Sequence, residues 1–180
     1  MATAERRIAK GDWVLVTGAN GYIGSHVVDV LLQEGYNVRG SVRAEKPWLN
    51  KLFDERHGKG RFETAIVSSL NDEAAFDEAV KGVAGIVHVV CCVWKTKLGG
   101  PSDRGLQASD VSLSPDPDTV IPNVVAGTLL VLKSAAKTPS VKSVVLTSSS
   151  AAVLIPQPNT KVEVDESKRD GLSSHSQGTC

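Results

Sequence analysis

A glycine-rich turn, set between an apolar run and a helical pattern, most constrains how this chain folds. The apolar run Val14-Leu15-Val16 leads into a turn in which glycine recurs every third residue, at Gly18, Gly21 and Gly24. The first glycine allows a tight exit from a strand, the second leaves room for a pyrophosphate beside the backbone, and the third lets the next helix pack closely. Strand, turn and helix in this order predict a dinucleotide-binding turn.

The rest of the chain alternates between short apolar runs and segments of helical periodicity. This alternation predicts right-handed crossovers and one parallel sheet, the doubly wound α/β fold. The predicted strands are 13–17, 37–42, 62–67, 86–90 and 141–147, and the predicted helices are 25–34, 47–55, 72–81 and 122–137.

Charge and cysteine usage narrow the classes of partner. Twenty basic residues balance twenty acidic ones, so neither nucleic acid nor an anionic membrane is an expected partner. The longest apolar stretch, 86–94, is too short to span a bilayer, and the first residues contain no secretory signal. The three cysteines lack metal-ligand spacing, which favours reduced thiols in the cytoplasm and no metal.

The motif V-T-G-A-N-G-Y-I-G-S, residues 16–25, resembles the extended short-chain dehydrogenase/reductases. More narrowly, residues 11 to about 166 resemble the branch of dihydroflavonol reductases, cinnamoyl-CoA reductases and fungal ketone/aldehyde reductases. The resemblance implies a Rossmann-type NAD(P)-binding domain over 11–155 that reduces a small-molecule carbonyl by hydride transfer. It also implies that Gly18, Gly21, Tyr22, Ile23 and Gly24 bind the cofactor.

A basic residue stands where the adenosine ribose meets the second strand. Arg43 follows this strand, and no Asp or Glu lies between Gly35 and Ala44. An arginine there can pair with a 2′-phosphate, so we expect NADPH to be preferred over NADH. Weaker candidates for the same role are Arg39, Lys46 and Lys51.

Two further cofactor positions rest on the resemblance. Ser69-Leu70 stands where the family has Asp-Leu or Asp-Met, so we expect weaker recognition of the adenine. Val89 lies in Val87-His88-Val89-Val90, where the family reads V-H-V-A and the backbone passes the cofactor. His88 is either a proton carrier or a partly buried strand histidine, and the second interpretation is favoured because no nucleophilic or acidic partner is readable nearby.

Thr147-Ser148-Ser149 resembles the segment that carries the family's catalytic serine, which makes Ser149 the expected carbonyl-orienting residue. Ser148 and Ser150 are the alternatives if the register differs by one. The family's Tyr-x-x-x-Lys pair has no counterpart, because the only tyrosines are Tyr22 and Tyr36. We therefore expect a chain that is truncated relative to the family and catalytically incomplete.

Two segments do not resemble the family: an insert at about 91–112, and the end of an irregular tail over 156–180. Our hypothesis is that the insert is a translated intron and the tail end a change of frame, and a transcript retaining both intact would contradict it. The leading function is an NADP-dependent reductase of ketones or aldehydes. The alternatives are a non-catalytic NADP-binding protein and an epimerase or dehydratase of nucleotide sugars, with the oligomeric state left open.

Overall fold

The computed structural model describes residues 8–68, 74–89 and 117–148, except for the side chains of 117, 119, 120, 123 and 124. Residues up to Leu146 belong to one compact unit, and of the second unit, 147–180, only Thr147 and Ser148 are described. The insert expected at 91–112 and the tail expected at 156–180 lie outside the described residues, so the proposed domain boundaries stay predictions.

Five parallel strands form one sheet in the order β3-β2-β1-β4-β5. The strands are β1 (Trp13–Val16), β2 (Asn37–Val42), β3 (Phe62–Ile66), β4 (Gly85–His88) and β5 (Ser143–Leu146). The strand order reverses at β1, so β1 and β4 flank the switch point at which such sheets bind ligands. The doubly wound Rossmann-type fold expected from the sequence is therefore confirmed.

The helices cover the two faces of this sheet. Helices α1 (Tyr22–Gln33) and α2 (Pro47–His57) pack on one face, in a buried cluster that includes Val28 and Leu32 of α1 and Phe53 of α2. Helix α3 (Pro117–Lys137) packs on the other face, where its Leu130 and Val131 meet Leu15 of β1 and Ile86 of β4. The apolar burial on both faces is the main favourable term holding the layers together.

The helix predicted over 72–81 is wrong in its described part. Residues 74–82 form turns, although Phe76 and Val80 are buried as its apolar stripe required. Two carbonyls of the segment, those of Ala79 and Lys81, accept hydrogen bonds from the Arg39 guanidinium. Two of the backbone hydrogen bonds in this segment run to the carbonyl three residues earlier, as in turns and not as in an α-helix.

The start predicted for the long helix is also wrong, by five residues. Proline is favoured at the first helical position, and the sequence offers two prolines, Pro117 and Pro122. The helix begins at Pro117, and Pro122 lies inside it. Pro122 lacks an N–H donor, so its own position cannot supply the hydrogen bond that a helix-interior residue usually donates.

Candidate cofactor site

The turn between β1 and α1 is built from its first two motif glycines. Gly18 has φ of +66°, a left-handed conformation that favours glycine, and its carbonyl accepts a hydrogen bond from the Gly21 N–H at 2.9 Å. Gly21 is the N-cap of α1, and its carbonyl accepts from the Ser25 N–H at 2.9 Å. The turn therefore delivers the chain directly into the helix without a side-chain cap.

The third motif glycine sets how closely α1 approaches this turn. A Cβ on Gly24 would lie 2.8 Å from the carbonyl carbon of Gly18, nearer still to its oxygen, and 3.2 Å from the Cα of Ala19. The close approach expected from the sequence thus exists, but it is to the backbone of the turn at the end of β1 rather than to the sheet surface. Any side chain at position 24 would push the helix start away from the turn.

The first turn of α1 is suited to an anion. Its leading N–H groups have no partner within the helix, the N-cap contributes no side chain, and no acidic residue lies in the first turn. Tyr22 is 83% exposed and Ile23 is also exposed, so both side chains lie outside the core. The backbone at this end therefore fits the pyrophosphate of a dinucleotide.

The carboxyl end of β2 is tied to the same turn through Ser41. The buried Ser41 side-chain oxygen accepts a hydrogen bond from the Gly18 N–H at 3.4 Å, and its carbonyl accepts from the Ala19 N–H at 3.2 Å. Beside it, a Cβ on Gly40 would lie 2.6 Å from the Cβ of Ala19. Our sequence analysis missed both residues, although small residues at a strand end beside a glycine-rich turn were a signal for such packing.

The carboxyl end of β4 is tied to β1 through Thr17. The Thr17 hydroxyl accepts a hydrogen bond from the Val89 N–H at 3.0 Å and can donate to the Val89 carbonyl at 3.3 Å. The Thr17 N–H donates to the Val87 carbonyl at 3.0 Å. Val89 is buried, and its carbonyl lies 3.6 Å from where a Cβ on Gly18 would be. The ends of β1, β2 and β4 therefore meet at one edge.

His88 lies at this edge as a part-buried side chain. Its Nδ1 lies 2.9 Å from the Thr17 hydroxyl oxygen, and burial lowers the pKa of the imidazole below its usual value. A part-buried imidazole bonded to the Thr17 hydroxyl agrees with the favoured interpretation of His88 as a strand histidine.

The pKa of His88 leads to a pH-dependent stability. Unfolded chains bind a proton at this histidine below about pH 6.5, while the folded chain resists it, so stability falls as the pH drops below that value. His88→Asn cannot titrate, so the free energy of unfolding should depend less steeply on pH in this variant. The change in slope should correspond to less than one bound proton. Urea unfolding of both proteins between about pH 5 and pH 7.5 measures it, and parallel curves would contradict the prediction.

The basic residues proposed to contact the adenosine ribose have different surroundings in the structure. Arg43 is exposed and directly follows β2, two residues beyond Ser41. Arg39 instead forms an ion pair with Glu63 at 2.5 Å and donates to the carbonyls of Ala79 and Lys81. Lys51 pairs with Glu55 at 3.8 Å. Arg39 is thus a structural residue, and Arg43 remains the leading candidate.

Three predicted site residues, Ser69, Leu70 and Ser149, lie outside the described residues, so their roles stay predictions. In the described ranges we find no group of histidine, cysteine and carboxylate side chains able to hold a metal ion. The helices within those ranges are too short or too polar to cross a membrane.

Comparison with known proteins agrees with this geometry. The sequence pattern of the NAD dependent epimerase/dehydratase family matches residues 14–101. Aldehyde reductase 2 of Sporidiobolus salmonicolor is 43% identical over 162 residues, which are 88% of this chain and 42% of that protein. Ketoreductase adrE of Penicillium rubens is 42% identical over 167 residues, 92% of this chain and 45% of that protein.

A solved structure shows the same fold. The yeast methylglyoxal/isovaleraldehyde reductase Gre2, crystallised with NADPH, superposes with a TM-score of 0.56 at 30% identity and covers 78% of this chain and 38% of its own. The chain therefore spans less than half the length of these relatives. Residues 14–101 thus match the NAD dependent epimerase/dehydratase family, and the proteins similar to this chain include fungal ketoreductases and aldehyde reductases.

Proposed function

We propose that this chain is the cofactor-binding part of an NADPH-dependent reductase that converts a small ketone or aldehyde to an alcohol. The observation that carries the proposal is the start of α1: its N-cap, Gly21, has no side chain, its first turn contains no acidic residue, and it lies at the strand ends beside the switch point. Such a site binds the phosphates of a dinucleotide. The aldehyde- and ketoreductase relatives supply the reaction class.

NADPH is the proposed cofactor because of Arg43. Its exposed guanidinium follows β2 and forms no ion pair with any described residue, so it is available to a 2′-phosphate. Lys46, half-buried at the N-cap of α2, is the next basic side chain along the chain. Gre2 was crystallised with NADPH, which supports the same choice.

The proposed cofactor contacts follow the strand ends. The N–H groups at Tyr22, Ile23 and Gly24 would hold the pyrophosphate, and Gly18 and Gly21 would keep side chains out of its way. Val89, fixed by Thr17, would present backbone along the cofactor's path. We propose that Ser69 and Leu70 flank the adenine.

Bound NADPH would supply the hydride, and the chain's own groups would orient the carbonyl. We propose that Ser149 donates a hydrogen bond to the substrate oxygen. A proton must also reach that oxygen, and the resemblance assigns this step to a tyrosine tuned by a lysine. The 180 residues contain no tyrosine after Tyr36, which keeps non-catalytic NADP binding as the second candidate function.

We place the protein in the cytoplasm because its three cysteines suit a reducing compartment.

The purified 180-residue polypeptide should bind NADPH with little turnover. A positioned general acid is worth about 10²–10⁴ in rate, so its carbonyl reduction should be at least about a hundredfold slower than that of aldehyde reductase 2. Calorimetry measures NADPH binding, and NADPH absorbance follows turnover over a panel of ketones and aldehydes.

The two measurements separate the two candidate functions. Robust turnover that disappears in Ser149→Ala would show a catalytically sufficient chain that uses another acid. Absence of NADPH binding by a folded chain would overturn the proposed function itself.

A further inference from the structure

Two consecutive peptide groups of the turn between β1 and α1 are held by one residue of β2. The Ser41 side-chain oxygen accepts a hydrogen bond from the Gly18 N–H at 3.4 Å, and the Ser41 carbonyl accepts one from the Ala19 N–H at 3.2 Å. Ser41 is 5% exposed and Ala19 is fully buried, so water has little access to either residue. The turn is therefore fixed to the end of β2 through both the side chain and the backbone of Ser41.

The planarity of the peptide bond extends this restraint to the start of α1. The Ala19 N–H and the Gly18 carbonyl belong to one peptide plane, so the Ser41 contact that holds the N–H also orients the carbonyl. The Gly18 carbonyl in turn accepts a hydrogen bond from the N–H of Gly21, the N-cap of α1, at 2.9 Å. Ser41 thus contributes to the direction in which the helix start presents its N–H groups.

The Ser41 hydroxyl adds a second restraint, one residue earlier in the turn. It accepts from the Gly18 N–H, which lies in the peptide plane shared with the Thr17 carbonyl. Gly18 has φ of +66°, and glycine has more backbone freedom than any other residue, so this conformation competes with others. The side-chain contact reduces that freedom at the point where the chain leaves β1.

We infer that Ser41 is a positioning residue for the pyrophosphate of the dinucleotide and acts through the glycine-rich turn. The inference rests on the proposed function, in which the start of α1 binds that pyrophosphate. Pyrophosphate is common to NADPH and NADH, whereas the 2′-phosphate assigned to Arg43 occurs in NADPH alone. Ser41 and Arg43 are neighbours at the end of β2 and serve separate parts of the same cofactor.

Ser41→Ala tests the inference by comparing the two dinucleotides. Loss of one neutral hydrogen bond should lower the affinities for NADPH and NADH by the same factor, about three- to tenfold. Calorimetry with both dinucleotides measures this, and the ratio of the two affinities should stay unchanged within about twofold. Arg43→Ala, by contrast, should change that ratio.

Ser134→Ala is the matched control for a general loss of stability. Ser134 is also buried, and its hydroxyl donates a hydrogen bond to Asp77 at 2.5 Å, but it lies on α3, which packs on the opposite face of the sheet from α1. Both alanine variants should lower the midpoint of urea unfolding, and Ser134→Ala should leave both dinucleotide affinities unchanged. The comparison separates a positioning role of Ser41 from an effect of stability alone.

Amide hydrogen exchange at Gly18 gives a measurement that requires no cofactor. Removal of the hydroxyl acceptor in Ser41→Ala should speed exchange of the Gly18 N–H by about tenfold or more, because this donor then lacks the contact that protects it. Ser134→Ala should not reproduce this change. Nuclear magnetic resonance resolves the exchange of this single amide.

Four results would overturn the inference. They are unchanged affinities for both dinucleotides in Ser41→Ala, a loss confined to NADPH, an equal loss in Ser134→Ala, and an unchanged exchange rate at Gly18. A loss confined to NADPH would assign Ser41 to the 2′-phosphate. Absence of dinucleotide binding by the folded wild-type chain would overturn the proposed function and with it the role of Ser41 toward pyrophosphate, whereas the exchange rates would still show whether Ser41 orders the turn.

Discussion

Gly24→Ala should destabilise the fold and weaken cofactor binding together. The added methyl would meet the Gly18 carbonyl, whose carbon lies 2.8 Å away, and this neighbour is backbone that cannot rotate aside. Overpacking of this kind costs about 1–3 kcal/mol, and a backbone neighbour puts the expected value at the upper end. Urea unfolding measures the stability, and calorimetry should show NADPH affinity lowered at least tenfold because the helix start is displaced.

Gly21→Ala is the matched control for this prediction. Its φ of −81° suits any residue, and its Cβ would lie 3.2 Å from the Gly18 oxygen, a contact that a small shift relieves. We expect a stability change of about 1 kcal/mol or less, with NADPH binding still weakened by the methyl in the phosphate space. Unchanged unfolding of Gly24→Ala would show that the close approach of α1 to the turn is not essential.

Arg43→Ala should weaken NADPH binding far more than NADH binding. A guanidinium forms paired, charge-assisted hydrogen bonds with a phosphate, and such bonds are worth about 1.5–3 kcal/mol. The expected loss for NADPH is therefore roughly ten- to a hundredfold, with a change of less than about threefold for NADH. Calorimetry with both cofactors checks the difference, and an equal loss for both would reject the assignment.

Arg39→Ala provides the contrasting result. Arg39 bonds to Glu63, Ala79 and Lys81, so its removal leaves one carboxylate and two carbonyls without their partner. Stability should fall by about 1–3 kcal/mol while the preference for NADPH is retained. A cofactor preference that changes with Arg39 instead of Arg43 would reverse the two roles.

The sequence predicted the sheet well because each strand is marked by an apolar run or by alternating apolar residues, and by flanking turn residues. The described strands lie within two residues of the expected bounds, α2 begins where expected, and α1 begins three residues earlier than expected. The failures lie where local patterns suit more than one outcome. The segment 74–82 forms turns although its apolar spacing suits a helix, and α3 uses the earlier of two equivalent prolines.

The candidate site was likewise predictable only in part. The sequence predicted the positions of the motif glycines because glycine is needed wherever backbones approach closely or φ is positive. The contacts of Thr17 with Val89 and of Ser41 with Gly18 span many residues of sequence and depend on strand order. No local pattern contains that order. The same reason explains why the ion pair of Arg39 with Glu63 is visible only in the fold, although the sequence already favoured Arg43 for the cofactor contact.

The N-cap of α1 at Gly21 has no side chain, which affects both the stability of the helix and its capacity to bind phosphate. An aspartate there would provide the missing cap, but glycine is only a few tenths of a kcal/mol worse than the best caps. The same carboxylate would repel the phosphates that the helix start is suited to receive. A Cβ at this position would also lie 3.2 Å from the Gly18 oxygen, so the small capping gain is offset and glycine leaves the helix start open to phosphate at little cost in stability.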